Sequence, residues 1–224
     1  MVIAVSILFF IFSISIGFYI YIEVTYKKYK KTKLKSNLSG FEVARKIIDN
    51  YDLNNIYITE SKTELISRYD SNRKVIRLTN EVFNDESLVS CAISSIEGSH
   101  AILDKKEDKV FKIKELLMPF INILLIVGYL ISLIGCFFGH ITTIVVGLSI
   151  IDLIIFFHLI FYNNEKKSMK IATIELINNK IISKNEIRRI EKLLKVTSYT
   201  SFASIVFPVI ELIKKVLIFG DSNK

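Results

Sequence analysis

Three stretches of the chain are almost free of charge. Residues 2–22 (VIAVSILFFIFSISIGFYIYI) carry none, residues 118–161 carry only Asp152, and residues 196–210 carry none. A membrane-crossing helix needs about 20 apolar residues. The first stretch is therefore long enough for one span. The second is long enough for two, turning near Gly139–Thr143. The third is shorter and runs into Glu211, Lys214 and Lys215, which predicts a helix that crosses with snorkelling lysines or lies in the interface. This pattern predicts about three to four transmembrane helices.

Between these stretches the pattern changes to short amphipathic periods. Ser39-Gly40-Phe41-Glu42 has the form of a capping box, and Phe41, Ala44, Ile47, Ile48 and Tyr51 follow at helical spacing. Asp49-Asn50 and Asp52–Asn55 end that helix. Strand-like pieces come next, at Ile56–Thr59, Leu65–Tyr69 and Lys74–Leu78. The turn residues Asp70–Arg73 join the last two into a hairpin. A second helix starts after Asn84–Ser87 and runs to about Leu103, with Val89, Ala92, Ile93, Ile96, His100 and Leu103 on one face. The elements predict an α+β integral membrane protein with five segments. These are an N-terminal anchor (1–24), a polar segment (25–117), a two-helix membrane hairpin (118–161), a second polar segment (162–195) and a C-terminal membrane-associated helix with its tail (196–224).

Charge orients this arrangement. The chain is 51% hydrophobic yet 23% charged, so the two kinds of residue are segregated along it. The run KKYKKTKLK after the first span belongs in the cytoplasm by the positive-inside rule, which puts the N-terminus outside and both polar segments inside. No lysine or arginine precedes residues 2–22 and no small-residue cleavage site follows them, which argues against a cleaved signal peptide. The net charge of +8 does not point to nucleic acid. Most lysines flank the apolar stretches, where they meet anionic lipid, and no aromatic-interleaved basic groove accompanies them. Cys91 and Cys136 have no CxxC partner and fall in a cytoplasmic and a membrane segment, so no disulfide is expected.

Candidate chemistry concentrates in SCAISSIEGSHAILD, residues 90–104. IEGSH is one residue short of His-Glu-x-x-His, with Ile96 where the first histidine would stand. Ile96 and His100 are four apart and point the same way, and Glu97 lies beside that face where a general base would reach a metal-bound water. Ile96, however, has no lone pair to offer a cation. On these residues alone an ordinary helix is the plainer reading.

The wider chain resembles the YugP-like family of bacterial membrane zinc metallopeptidases. The likeness runs through SGFEVARKIIDN (39–50), RYDSNRKVIRLTNEVF (68–83) and CAISSIEGSHAI (91–102). It continues through the double apolar stretch and the final apolar helix in the same order. The resemblance implies a zincin-like cytoplasmic segment of helix, small sheet with hairpin, and motif helix. It also implies a Zn2+ cofactor held by two helix histidines and a downstream glutamate. On this sequence Glu97 would then be the general base, His100 a metal ligand and Glu165 the third ligand, with Asn164 in that place if the register slips by one. The sequence departs from the family at Ile96, at Arg68, which replaces a histidine beside the hairpin turn, and at Gly98-Ser99.

A catalytic zinc normally has three protein ligands and an open position. With Ile96 in place of one, the resemblance implies weak or absent zinc and a catalytically impaired protein that keeps a peptide- or partner-binding role. Arg68, Tyr69, Ile76 and Leu78 would line the cleft, with an extended chain adding along strand Lys74–Leu78. Alternatives are an active enzyme completed by Asp104 or by a partner subunit, and a structural membrane protein without a metal site. Asp104 has the plainer reading of opening the charged run DKKEDK. His158 is seven residues from Glu165, about 10 Å along a helix and too far to share its ion. His140 falls in the outer turn, and Asp152 is an intramembrane carboxylate that should face a neighbouring helix.

Overall fold

The computed structural model describes residues 2–61 and 66–206, with side chains of the first helix described from residue 13 onward. Among the described residues the chain is mostly helical with one small sheet. In order it forms α1 (Val2–Lys30), α2 (Gly40–Asp49), β1 (Tyr57–Ser61), β2 (Arg68–Asp70), β3 (Val75–Thr79), α3 (Asn80–Phe83) and α4 (Leu88–Lys105), then α5 (Lys109–Phe138), α6 (Ile141–Asn178), α7 (Ile187–Thr197) and α8 (Thr200–Ala203). It divides into two compact units. One comprises residues 1–21, 117–160 and 199–224, the other residues 22–116 and 161–198.

The polar unit (22–116 and 161–198) is built around α4. Every residue of this helix from Leu88 to Leu103 is buried except Ile93, which is half-buried. Ser87 caps it by accepting from the Ser90 N–H at 3.2 Å. Two of its buried serines satisfy their hydroxyls within the helix, Ser95 and Ser99 donating to the carbonyls of Ala92 and Ser95, whereas Ser94 Oγ is buried without a partner among the described residues. α2 packs along α4, and Gly98 allows the approach: a Cβ there would lie 3.1 Å from the Ile47 methyl. The capping box forms as the sequence predicts. Ser39 Oγ accepts from the Glu42 N–H, and Glu42 accepts from the Ser39 N–H at 2.8 Å. Gly40 is tighter still, since a Cβ would fall 2.2 Å from the Val82 carbonyl oxygen. The short helix α3 that carries Val82 has no forecast in the hydrophobic pattern.

The sheet order is β1-β3-β2, with β1 parallel and β2 antiparallel to β3. The hairpin lies close to its predicted place. Asp70 Oδ1 accepts from the Arg73 N–H at 3.0 Å, and Lys74 closes the turn at φ 51°. Leu65, expected at the start of the first hairpin strand, lies outside the described residues. β3 alternates as a one-sided strand should. Ile76 and Leu78 are fully buried, while Val75, Arg77 and Thr79 are half-buried.

In the other unit, α5 and α6 are joined through Gly139 (φ 68°) and His140. Their backbones meet through small residues: a Cβ on Gly147 would sit 2.3 Å from Ser132 Oγ, and one on Gly135 would sit 2.6 Å from the Ile144 nitrogen. α5 and α6 are each long and apolar enough to cross a membrane. Only 22% and 33% of their most apolar windows are buried, far less than in the core helix of a water-soluble protein. α6 does not stop where its charge pattern changes near residue 162, but runs on as one helix to Asn178. The apolar block beginning at residue 196 is broken between α7 and α8, and residues 207–224 lie outside the described part.

Candidate functional site

Three helices of the polar unit bring charged side chains to one buried point, and strand β2 adds a backbone N–H. α4 supplies Glu97 and His100, one turn apart and 7% and 8% exposed. β2 supplies Tyr69, α5 supplies Lys114 and α6 supplies Glu165. Local structure sets each in place. Asp108 begins α5 by accepting from the Phe111 N–H at 3.0 Å, and the same carboxylate takes Lys167 Nζ at 2.6 Å, tying α5 to α6. This sets Phe111 and Lys114 on the inward face of α5, both buried. The far end of this part of α6 is anchored by Glu175, which accepts from the Tyr51 hydroxyl at 2.7 Å.

His100 lies between two carboxylates. Its Nδ1 is 3.1 Å from Glu97 Oε2 and its Nε2 is 3.3 Å from Glu165 Oε2. A neutral imidazole has one N–H, so only the imidazolium donates to both. Burial works against that charge, but Glu165 and Glu97 outweigh it and lift the pKa to about 9. Glu97 Oε2 also accepts from the Tyr69 N–H at 2.8 Å. The other oxygen of Glu165 takes Lys114 Nζ at 2.5 Å. Burial would raise the Glu165 pKa, but Lys114 and His100 hold it far below the usual carboxylate range. Lys114 is likewise disfavoured by burial, yet Glu165 carries its pKa above the ordinary lysine value. Phe111 covers the cluster, its ring 5.7 Å from that of His100 and 6.4 Å from that of Tyr69. Glu115 stands at the margin, facing Ser71, its pKa raised chiefly by burial.

The family described as "Putative neutral zinc metallopeptidase" matches residues 3–220 of the chain. The chain belongs to this family. A relative from Bacillus subtilis (strain 168), "Putative membrane protease YugP", is 26% identical over 198 residues, covering 88% of each chain. No solved structure is a significant match.

Zinc, the metal in the family's description, does not fit the residues gathered here. Ile96 occupies the lead position of the motif and is 2% exposed within the apolar core, with no donor atom to offer. Both Glu165 oxygens and both His100 ring nitrogens already face protein partners. Among the described residues, no group of three or more His, Cys, Asp or Glu side chains is arranged to hold a metal ion. Two carboxylates, one imidazolium and one ammonium leave Glu97, His100, Lys114 and Glu165 without net charge.

Of the two neighbouring candidates on α6, Glu165 is the one that faces His100. Asn164 is fully buried, and among the described residues neither its Oδ1 nor its Nδ2 has a partner. Other expectations need correction. β3 is the central strand with a neighbour on each side, so no chain can add along Lys74–Leu78, and Ile76 and Leu78 are core residues. The Tyr69 N–H, on the outer edge of β2, is taken by Glu97. Arg68 is exposed, and the cation at the site is Lys114 instead. Asp104 does not simply open a solvated charge run. It accepts from the Tyr69 hydroxyl at 2.7 Å and from Lys74 Nζ at 2.5 Å, fastening the hairpin to α4. His158 is buried against Phe202 and His140 is exposed, while Asp152 Oδ2 is buried without a partner among the described residues.

Lys114 is the residue that the sequence pattern concealed. It lies in FKIKEL, inside a basic stretch that reads as a membrane flank. The available signal was register: Phe111, Lys114, Ile121 and Leu125 follow one apolar helix stripe, and all four are buried.

Proposed function

We propose that this family member is an integral membrane protein that has exchanged hydrolysis for binding. Its polar unit faces the cytoplasm, three or four helices cross the bilayer with the N-terminus outside, and its partner is a peptide segment or another membrane protein. One observation carries the non-hydrolytic reading. The side chains that would bind zinc and activate water are instead joined to one another and to Lys114 in a buried, charge-balanced network. A hydrolytic site needs an open metal position and a free base, whereas here Glu97 is engaged by His100 and by the Tyr69 N–H. The membrane placement rests on the largely exposed apolar faces of α5 and α6, the lysine-rich flanks and the name of the Bacillus relative.

The test is zinc content and proteolysis of the full chain purified in detergent, beside Glu97→Gln and His100→Ala. The expected result is well under one zinc per chain and no cleavage of an unfolded protein substrate above the Glu97→Gln control. About one zinc per chain, removed by His100→Ala and accompanied by cleavage that Glu97→Gln abolishes, would overturn it.

A further inference from the structure

We infer that Lys114 is the resident cation of this site, supplying Glu165 with the positive charge that a metal ion would bring and thereby excluding a dication. The inference rests on the reading of the site as one without its metal, and goes beyond it. Loss of the histidine at position 96 is then only half of the change.

The ammonium lies 2.5 Å from Glu165 Oε1, with the two side chains 9% and 5% exposed. The other oxygen of the same carboxylate faces His100 Nε2, the nitrogen through which the ring would share an ion with Glu165. Lys114 is held from two directions. Phe111 lies one turn earlier on α5, its centroid 6.0 Å from Nζ, and the Asp108–Lys167 pair fixes the start of that helix against α6. The charged groups around the ammonium are Glu165, Glu115, Glu97 and His100. A dication placed between His100 and Glu165 would meet a fixed like charge within a few ångströms, in a setting too buried for water to screen it. An intact His-Glu-x-x-His motif would therefore not suffice to bind zinc here.

The experiment measures Zn2+ affinity by competition with a chromophoric chelator, on the full chain in detergent. Wild type, Ile96→His, Ile96→His/Lys114→Met and Ile96→His/Lys114→Arg are compared. Ile96→His alone and the arginine variant, which keeps the charge, should bind weakly. The methionine variant should bind about one zinc per chain, at least about 100-fold more tightly than Ile96→His. Equal affinities of Ile96→His and the methionine variant, within about threefold, would overturn the inference while leaving the non-hydrolytic reading standing. Stoichiometric zinc in wild type would overturn both. Competitive amine labelling of wild type, read by mass spectrometry, decides the matter should a variant fail to fold. Lys114 should label far more slowly than exposed Lys112, and equal rates would refute its burial against Glu165.

Discussion

Removing the Lys114 ammonium tests the buried network most directly. At 2.5 Å and an effective dielectric of about 20, opposite unit charges attract by roughly 7 kcal/mol. Taking each charge out of water costs several kcal/mol, so the intact pair contributes little net stability over an apolar pair of the same shape. Breaking it is different. Lys114→Met leaves the Glu165 carboxylate 4% exposed with only His100 beside it, and should destabilise the protein by about 3–5 kcal/mol. The lower end is expected because one imidazolium remains. Glu165→Leu should cost a similar amount by stranding the ammonium. The double variant Lys114→Met/Glu165→Leu should lie within about 2 kcal/mol of wild type, because no uncompensated charge remains. The chain contains no tryptophan, so a thiol is the better reporter. Cys91 is 1% exposed in the core of the polar unit, and burial pushes its thiol pKa well up, so a thiol-reactive dye reaches it only on unfolding. Replacing the exposed Cys136 with serine leaves Cys91 as the single probe. Single variants that each lose less than about 1 kcal/mol, or a double variant whose loss equals their sum, would falsify the claim that the two charges depend on each other.

Three further outcomes follow from local geometry, the first two read with the same probe and the third, at acid pH where a thiol does not react, by far-ultraviolet circular dichroism. Gly40→Ala should destabilise by about 3 kcal/mol, the upper end of the overpacking range, because its Cβ would overlap the backbone oxygen of Val82 and not a movable side chain; an unchanged midpoint would refute that packing. Tyr69→Phe removes the hydroxyl from Asp104 and should cost about 1–2 kcal/mol, with Lys74 still holding the carboxylate; a loss no larger than that of an exposed Tyr57→Phe control would refute it. Glu186 accepts from the Lys35 N–H at 2.9 Å and from the Ser183 N–H at 2.8 Å. Burial opposes its charge, but the Ser183 and Lys35 hydrogen bonds outweigh burial and hold its pKa below the ordinary 4.5. A lowered folded-state pKa gives stability that is present above 4.5 and is lost as the pH falls through the folded value. Glu186→Gln should therefore flatten the acid limb of the stability profile below about pH 4.5, and an identical limb in both proteins would argue against it.

Much of the polar unit was legible along the chain because its signals are local. Ser39 with Glu42, Ser87 before Leu88, and Asp70 before Arg73 each satisfy backbone groups within four residues, so their chemistry is written in adjacent letters. Glu97 and His100 share a helix, so their i,i+3 relation needed only helical geometry. Glu165 was harder, since one residue of register rotates a side chain about 100° around a helix; packing of α6 turns Glu165 toward His100.

What the sequence determined by itself was segregation: where charge is absent, where helices start and stop, and that position 96 offers a metal no lone pair. What only the tertiary structure decided were relations between distant segments. β3 became central because β1 pairs with it in parallel across an intervening strand, and a parallel partner leaves no adjacent turn to announce it. Lys114 became the counter-ion of Glu165 across 51 residues because two separate helices deliver them to one buried point. There the charges must be matched, since burial removes the water that would otherwise balance each alone.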